Sequence, residues 1–160
     1  MPAFPCTTII PTGSFLLKDF QQLCLTVNST AGGLFGQSII TAPCSDELPA
    51  LPQQTWSFEA VNHGSILVSG LSQGGAPGEI VIVQEGEDGQ AITYGSTNIA
   101  FNITCVTGRP SNVVTLVDNV VGTEITLTAT QAEGDGDTPP AIFETYMGSA
   151  QQIWSIEALD

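Results

Sequence analysis

Sixteen carboxylates, four thiols, two cations and a single imidazole are the groups from which this chain could build acid–base, redox or metal chemistry. The one histidine, His63, sits in the turn Asn62-His63-Gly64, and with no second histidine HExxH zinc sites and His clusters are excluded. A Ser/His/Asp hydrolase would have to use that turn residue, and the chain contains no GxSxG. His63 therefore reads as an exposed turn residue. Glycosidase chemistry needs two facing carboxylates about 5–10 Å apart, and nothing in the acidic spacing selects such a pair. The segment Glu133-Gly134-Asp135-Gly136-Asp137 offers hard oxygen ligands but lacks the spacing and closing Glu of an EF-hand. It reads as a solvated acidic loop. No enzyme, metal or cofactor is expected.

The formal charge is −14, with Lys18 and Arg109 as the only basic residues. A phosphate-binding footprint cannot be assembled from two cations, so neither nucleic acid nor an anionic membrane surface is an expected partner. No window approaches the length of an apolar membrane span. Cys6, Cys24, Cys44 and Cys105 contain no CxxC pair, which excludes zinc ribbons and thioredoxin-like sites and leaves three possible disulfide pairings. An even cysteine count, the sequons Asn28-Ser29-Thr30 and Asn102-Ile103-Thr104, and the scarcity of lysine favour an extracellular setting. Met1-Pro2-Ala3-Phe4-Pro5 has no signal-peptide character. The expectation is a removed signal with Met1 added, and the alternative is cytoplasmic synthesis.

Chemistry of this kind has to be positioned by strands. Hydrophobic residues make up 42% of the chain and charged ones only 11%, the balance of a folded domain, and 160 residues are one domain's worth. Glycines and prolines punctuate short runs of Val, Ile, Thr and Phe, with no helical period. Three segments share one alternating shape: 55–60 around Trp56, 100–105 around Phe101, and 153–158 around Trp154. In each, the aromatic, the apolar residue two places on and the small residue four places on fall on one face of a strand. Their spacing divides the chain into thirds, approximately 14–61, 62–106 and 107–160.

Each third supplies three further strand candidates. The first strands are expected over Ser14–Phe20, Ser65–Gly70 and Asn112–Asp118. The second are Leu23–Asn28, Glu79–Gln84 and Glu124–Thr130, and the third Ser38–Cys44, Ala91–Ser96 and Ile142–Gly148. A Gly-rich or acidic loop separates second from third strand every time. Twelve strands in three units that share a core is the plan of an all-β β-trefoil.

Gln54-Thr55-Trp56 and Gln152-Ile153-Trp154, with Ile99-Ala100-Phe101 as a degenerate middle copy, resemble the QxW motif of ricin B-type trefoil domains. Cys24-Leu25-Thr26-Val27, then Cys44, then the first QxW resembles the CLD…C…QxW run of that family. The resemblance implies that Trp56, Phe101 and Trp154 fill the core, and that Cys24 and Cys44 form a disulfide within the first repeat. Cys6 and Cys105 are then expected to pair by default, the alternative being two unpaired thiols.

In ricin-type repeats the sugar site uses an Asp directly after the Cys-Leu, an aromatic platform on the third strand and a nearby Asn or Gln. The Asp position reads as Thr26, Ile82 and Thr128 in the three thirds, so galactose recognition of the usual kind is not expected. Replacement polar groups lie on the loops: Asn28 and Gln37; Gln84, Asp88 and Gln90; Asp135 and Asp137. Phe35, Tyr94 and Tyr146 offer rings. The leading expectation is a lectin-like, carbohydrate-binding trefoil with a degenerate galactose-type site, similar in size to fungal members of the group, with glycans as partners. The alternative is a trefoil protease inhibitor acting through an exposed loop. Pro11-Thr12-Gly13-Ser14-Phe15 resembles the opening of fungal trefoil inhibitors.

Overall fold

The computed structural model describes residues 11–28, 38–46, 51–61, 64–70, 81–85, 90–94, 101–118, 125–134 and 136–159, and side chains over most of these. Twelve strands run through them: β1 Phe15–Lys18, β2 Cys24–Val27, β3 Ile39–Ala42, β4 Trp56–Val61, β5 Gly64–Ser69, β6 Val81–Glu85, β7 Gln90–Tyr94, β8 Phe101–Cys105, β9 Val113–Asp118, β10 Ile125–Thr128, β11 Ile142–Thr145 and β12 Trp154–Ala158. Two single 3-10 turns, Pro52–Gln54 and Ala150–Gln152, are the helical structure among the described residues.

Six strands close a barrel. β1 pairs with β4, β4 with β5, β5 with β8, β8 with β9, β9 with β12, and β12 returns to β1, all antiparallel. Closure removes the sheet edges that would otherwise invite pairing with other chains. The hairpins β2–β3, β6–β7 and β10–β11 cap one end. Their backbones meet around the axis: Ala91 N–H donates to Ala141 O at 3.0 Å and Ala141 N–H to Ile39 O at 2.9 Å. Ile39, Ala91 and Ala141 are fully buried there, small enough in two of three places for the hairpins to touch.

The core is built from threefold sets. Leu17, Leu67 and Leu116 are buried on the first strands of the three repeats, and Leu25 and Leu127 on second strands. Trp56, Phe101 and Trp154 are buried opposite Phe15, Ser65 and Val114. Both indoles carry one polar atom into the core, and both satisfy it. Trp56 Nε1 donates to Leu25 O at 2.8 Å and Trp154 Nε1 to Leu127 O at 3.0 Å. In the middle repeat Phe101 fills the same place without a polar atom and stacks on Phe143, ring centroids 6.0 Å apart.

Candidate functional site

The pairings fix which residues are equivalent. Three places beyond Phe15, Ser65 and Val114 lie Lys18, Val68 and Val117, which pair with Cys24, Val81 and Thr126. The position expected to hold the sugar-binding carboxylate is two residues further on: Thr26, Val83 and Thr128. The expected middle residue, Ile82, is thus corrected by one. A slip of one place moves a residue to the other face of its strand. Across the hairpins these three face Ile40, Ile92 and Ile142. These three positions carry no carboxylate, and the residues they pair with carry no aromatic ring.

Thr26 and Thr128 belong instead to a buried clamp. Each hydroxyl donates at 2.8 Å to the carbonyl two residues back, Cys24 O and Thr126 O. Each also accepts from the glutamine of its QxW motif, Gln54 Nε2 at 3.3 Å and Gln152 Nε2 at 3.4 Å. Both amides complete the same set. Gln54 donates to Pro43 O and accepts from Ser45 N–H, each at 2.9 Å; Gln152 donates to Thr145 O at 2.9 Å and accepts from Met147 N–H at 2.8 Å. The conserved geometry of the two clamps makes Tyr146 the counterpart of Cys44.

The disulfide implied by the resemblance is present: Cys24 and Cys44 are bonded, with Cα atoms 5.1 Å apart. Cys105 is disulfide-bonded as well; its expected partner, Cys6, lies outside the described residues. Asn28 is exposed directly after β2, and its N–H donates to Ser38 O at 2.8 Å at the base of the loop. Phe35, Gln37, His63, Asp88 and Asp135 lie outside the described residues. Gln84 and Gln90 stand on β6 and β7, beside the connection between those strands. Asp137 is exposed, and its carboxylate closes its own turn by accepting from Glu133 N–H at 2.9 Å.

The strand register places Tyr94 and Tyr146 away from the connections they were expected to join in the second and third repeats. Tyr94 pairs with Val81, at the end of the hairpin away from the β6–β7 connection. Tyr146 follows Thr145, which pairs with Ile125, again away from the loop that carries Asp137. Four or five strand residues separate the two ends, about 13–17 Å. Sequence proximity to the hairpin was the wrong guide.

A different cleft brings polar groups and a ring together. It has a volume of about 310 Å³ and is lined by Asp19, Phe20, Gln22, Arg109, Val113, Ala150, Ile153 and Ser155. Three segments build it where the first and third repeats meet: the β1–β2 turn, the β8–β9 turn and the passage from the second 3-10 turn into β12. In the first, the Asp19 carboxylate accepts from the N–H groups of Gln21 and Leu23 at 2.8 and 2.9 Å and from the Gln21 amide at 2.8 Å. That grip holds Gln22 at φ 67°, a left-handed conformation that a non-glycine residue adopts only under constraint. In the second, Gly108 takes φ 85°, Arg109 N–H donates to Val106 O at 3.1 Å, and Pro110 restricts Arg109 to extended backbone. Reading the sequence alone missed this cleft. Its one legible trace is Gly108-Arg109-Pro110, a rigid turn carrying one of only two cations.

No protein-family model matches this chain, and no curated protein does. Solved structures match it closely in shape. A ricin B-like lectin from Macrolepiota procera, in complex with lactose, superposes with a TM-score of 0.68 at 14% identity, over 94% of this chain and 99% of its own. A proteinase inhibitor from Coprinopsis cinerea gives 0.68 at 13% identity, over 94% and 100%. A designed threefold-symmetric protein, ThreeFoil, gives 0.66 at 17% identity, over 91% and 99%. The fold is that of the ricin B-type β-trefoils. At these identities the likeness speaks for the fold, and two of these neighbours bind different kinds of partner.

Proposed function

We propose that this protein is a non-catalytic, lectin-like β-trefoil that binds carbohydrate without the usual galactose-type sites. The observation that carries the reading is the cleft between the first and third repeats, lined by Phe20, Gln22 and Ser155, with a volume suited to one or two sugar rings. Loss of the carboxylate removes a charge-assisted acceptor worth about 1.5–3 kcal/mol. Per-site affinity for neutral sugars is accordingly weak, on the order of millimolar, and galactose is not preferred. The first-repeat segment with Asn28, Phe35 and Gln37 is a second contact surface in this reading, because it joins two amides and a ring in one stretch of chain. The disulfides support an extracellular setting. A glycan array followed by titration tests the reading: weak binding of several glycans is expected, and an array with no hits overturns it.

One observation favours the inhibitor reading. Tyr146 and Met147 are 43% and 67% exposed, on a loop braced on both sides by the buried Gln152. A rigid loop with apolar side chains at its tip suits a protease cleft with an apolar specificity pocket. A panel of serine and cysteine proteases tests it: inhibition abolished by Met147→Asp, with no array hits, decides for this second reading.

A further inference from the structure

The cleft between the first and third repeats holds a cation with no acidic partner among the described residues. Among the described residues the other cation, Lys18, is paired with Glu157 at 2.5 Å, whereas Arg109 makes no ion pair. In a chain with sixteen acids and two bases, a guanidinium is easily neutralised from within. The acid in the wall of the cleft is Asp19, a buried residue whose carboxylate is committed to three N–H donors of its own turn. Arg109 is thus the accessible charge of the cleft, held on a turn fixed by Gly108 and Pro110.

We infer that this cleft binds a carboxylate-bearing saccharide, with Arg109 as the residue that selects the acid. The inference rests on the carbohydrate-binding reading above and names its ligand class and site. The guanidinium presents paired N–H donors in a plane that matches a carboxylate, a geometry that a lysine does not reproduce. Phe20, Val113 and Ile153 supply apolar surface for the face of a sugar ring, and Gln22 and Ser155 supply donors and acceptors for its hydroxyls. The backbone of Gln22 is held in its left-handed conformation by the Asp19 turn, which fixes where its side chain leaves the chain. Sialic acids and uronic acids share this chemistry.

Titration of the intact protein with sialyllactose, digalacturonic acid and lactose tests the inference, using wild type, Arg109→Ala and Arg109→Lys. One of the two acidic ligands is expected to bind wild type at least tenfold more tightly than lactose does. Arg109→Ala is expected to remove that preference, lowering affinity for the acidic ligand at least tenfold, and Arg109→Lys to restore only part of it. Whichever acidic ligand binds identifies the source of the carboxylate. Ser155→Leu, which fills the cleft without touching the charge, is expected to weaken acidic and neutral ligands at this site alike, and serves if Arg109→Ala lowers the melting temperature. Acidic glycan binding that is indifferent to Arg109 and Ser155 overturns the cleft and leaves the lectin reading standing. Binding of neutral glycans alone overturns the acidic selectivity. No glycan binding at all removes both.

Discussion

The Gln54 side chain donates to the Thr26 hydroxyl across 3.3 Å, and both residues are buried. The pair ties a QxW glutamine to the very position where a ricin-type repeat would hold its sugar-binding carboxylate. Thr26 also donates to Cys24 O, so its hydroxyl is engaged within the hairpin. The same relationship recurs between Gln152 and Thr128. What looks like a binding motif is, in this chain, a structural clamp at two of three repeats.

Removing either clamp amide should destabilise the fold. Gln54→Ala removes the acceptor of the Ser45 N–H and the donor to Pro43 O, and Gln152→Ala the acceptor of the Met147 N–H and the donor to Thr145 O. Each is expected to cost about 1–2 kcal/mol, since the amides are buried but their partners are partly in reach of water. Gln54→Glu should be no better, because it sets a carboxylate oxygen against the Pro43 carbonyl. Denaturant titration of the three variants checks this, and a loss confined to one repeat would break the equivalence of the clamps.

The indole bonds predict an asymmetry among the core aromatics. Trp154→Phe is expected to cost about 1–2 kcal/mol, for the Leu127 carbonyl it leaves unpaired and the volume it loses. Phe101 already shows that the ring position accepts a phenylalanine. Trp154→Ala should cost more, about 3–5 kcal/mol. Thermal melts of both variants give the ratio directly.

Threefold equivalence also predicts where a further disulfide will form. Thr126 and Tyr146 occupy in the third repeat the places of Cys24 and Cys44 in the first. The Thr126 hydroxyl is buried with no hydrogen-bond partner among the described residues, so a thiol replaces it at little cost, and the Tyr146 side chain is partly in solvent. The double variant Thr126→Cys/Tyr146→Cys is expected to oxidise to a bridge that adds about 3 kcal/mol, as loop closure of this length allows. Non-reducing peptide mapping detects the bridge, and free thiols at both positions would show that the repeats are not equivalent there.

The amino-acid sequence by itself determined the strand plan and the core. Alternation around Trp56, Phe101 and Trp154 reports which face of a strand is buried, and repetition of that pattern three times implies a shared core, because no repeat could cover its apolar face alone. The Cys24–Cys44 bridge followed from the resemblance those residues carry. Register was beyond reach, since periodicity of two does not say which residue stands opposite which: Ile82 and Val83 could be told apart only by the pairing of Val81 with Val68. Tyr146 was misplaced for a related reason, because adjacency in sequence to a hairpin does not say at which end of it a ring will stand. The cleft depended most on tertiary structure. Phe20, Arg109 and Ser155 are distant in sequence and meet because β12 lies between β1 and β9 in the closed barrel, a neighbourhood that barrel closure alone creates.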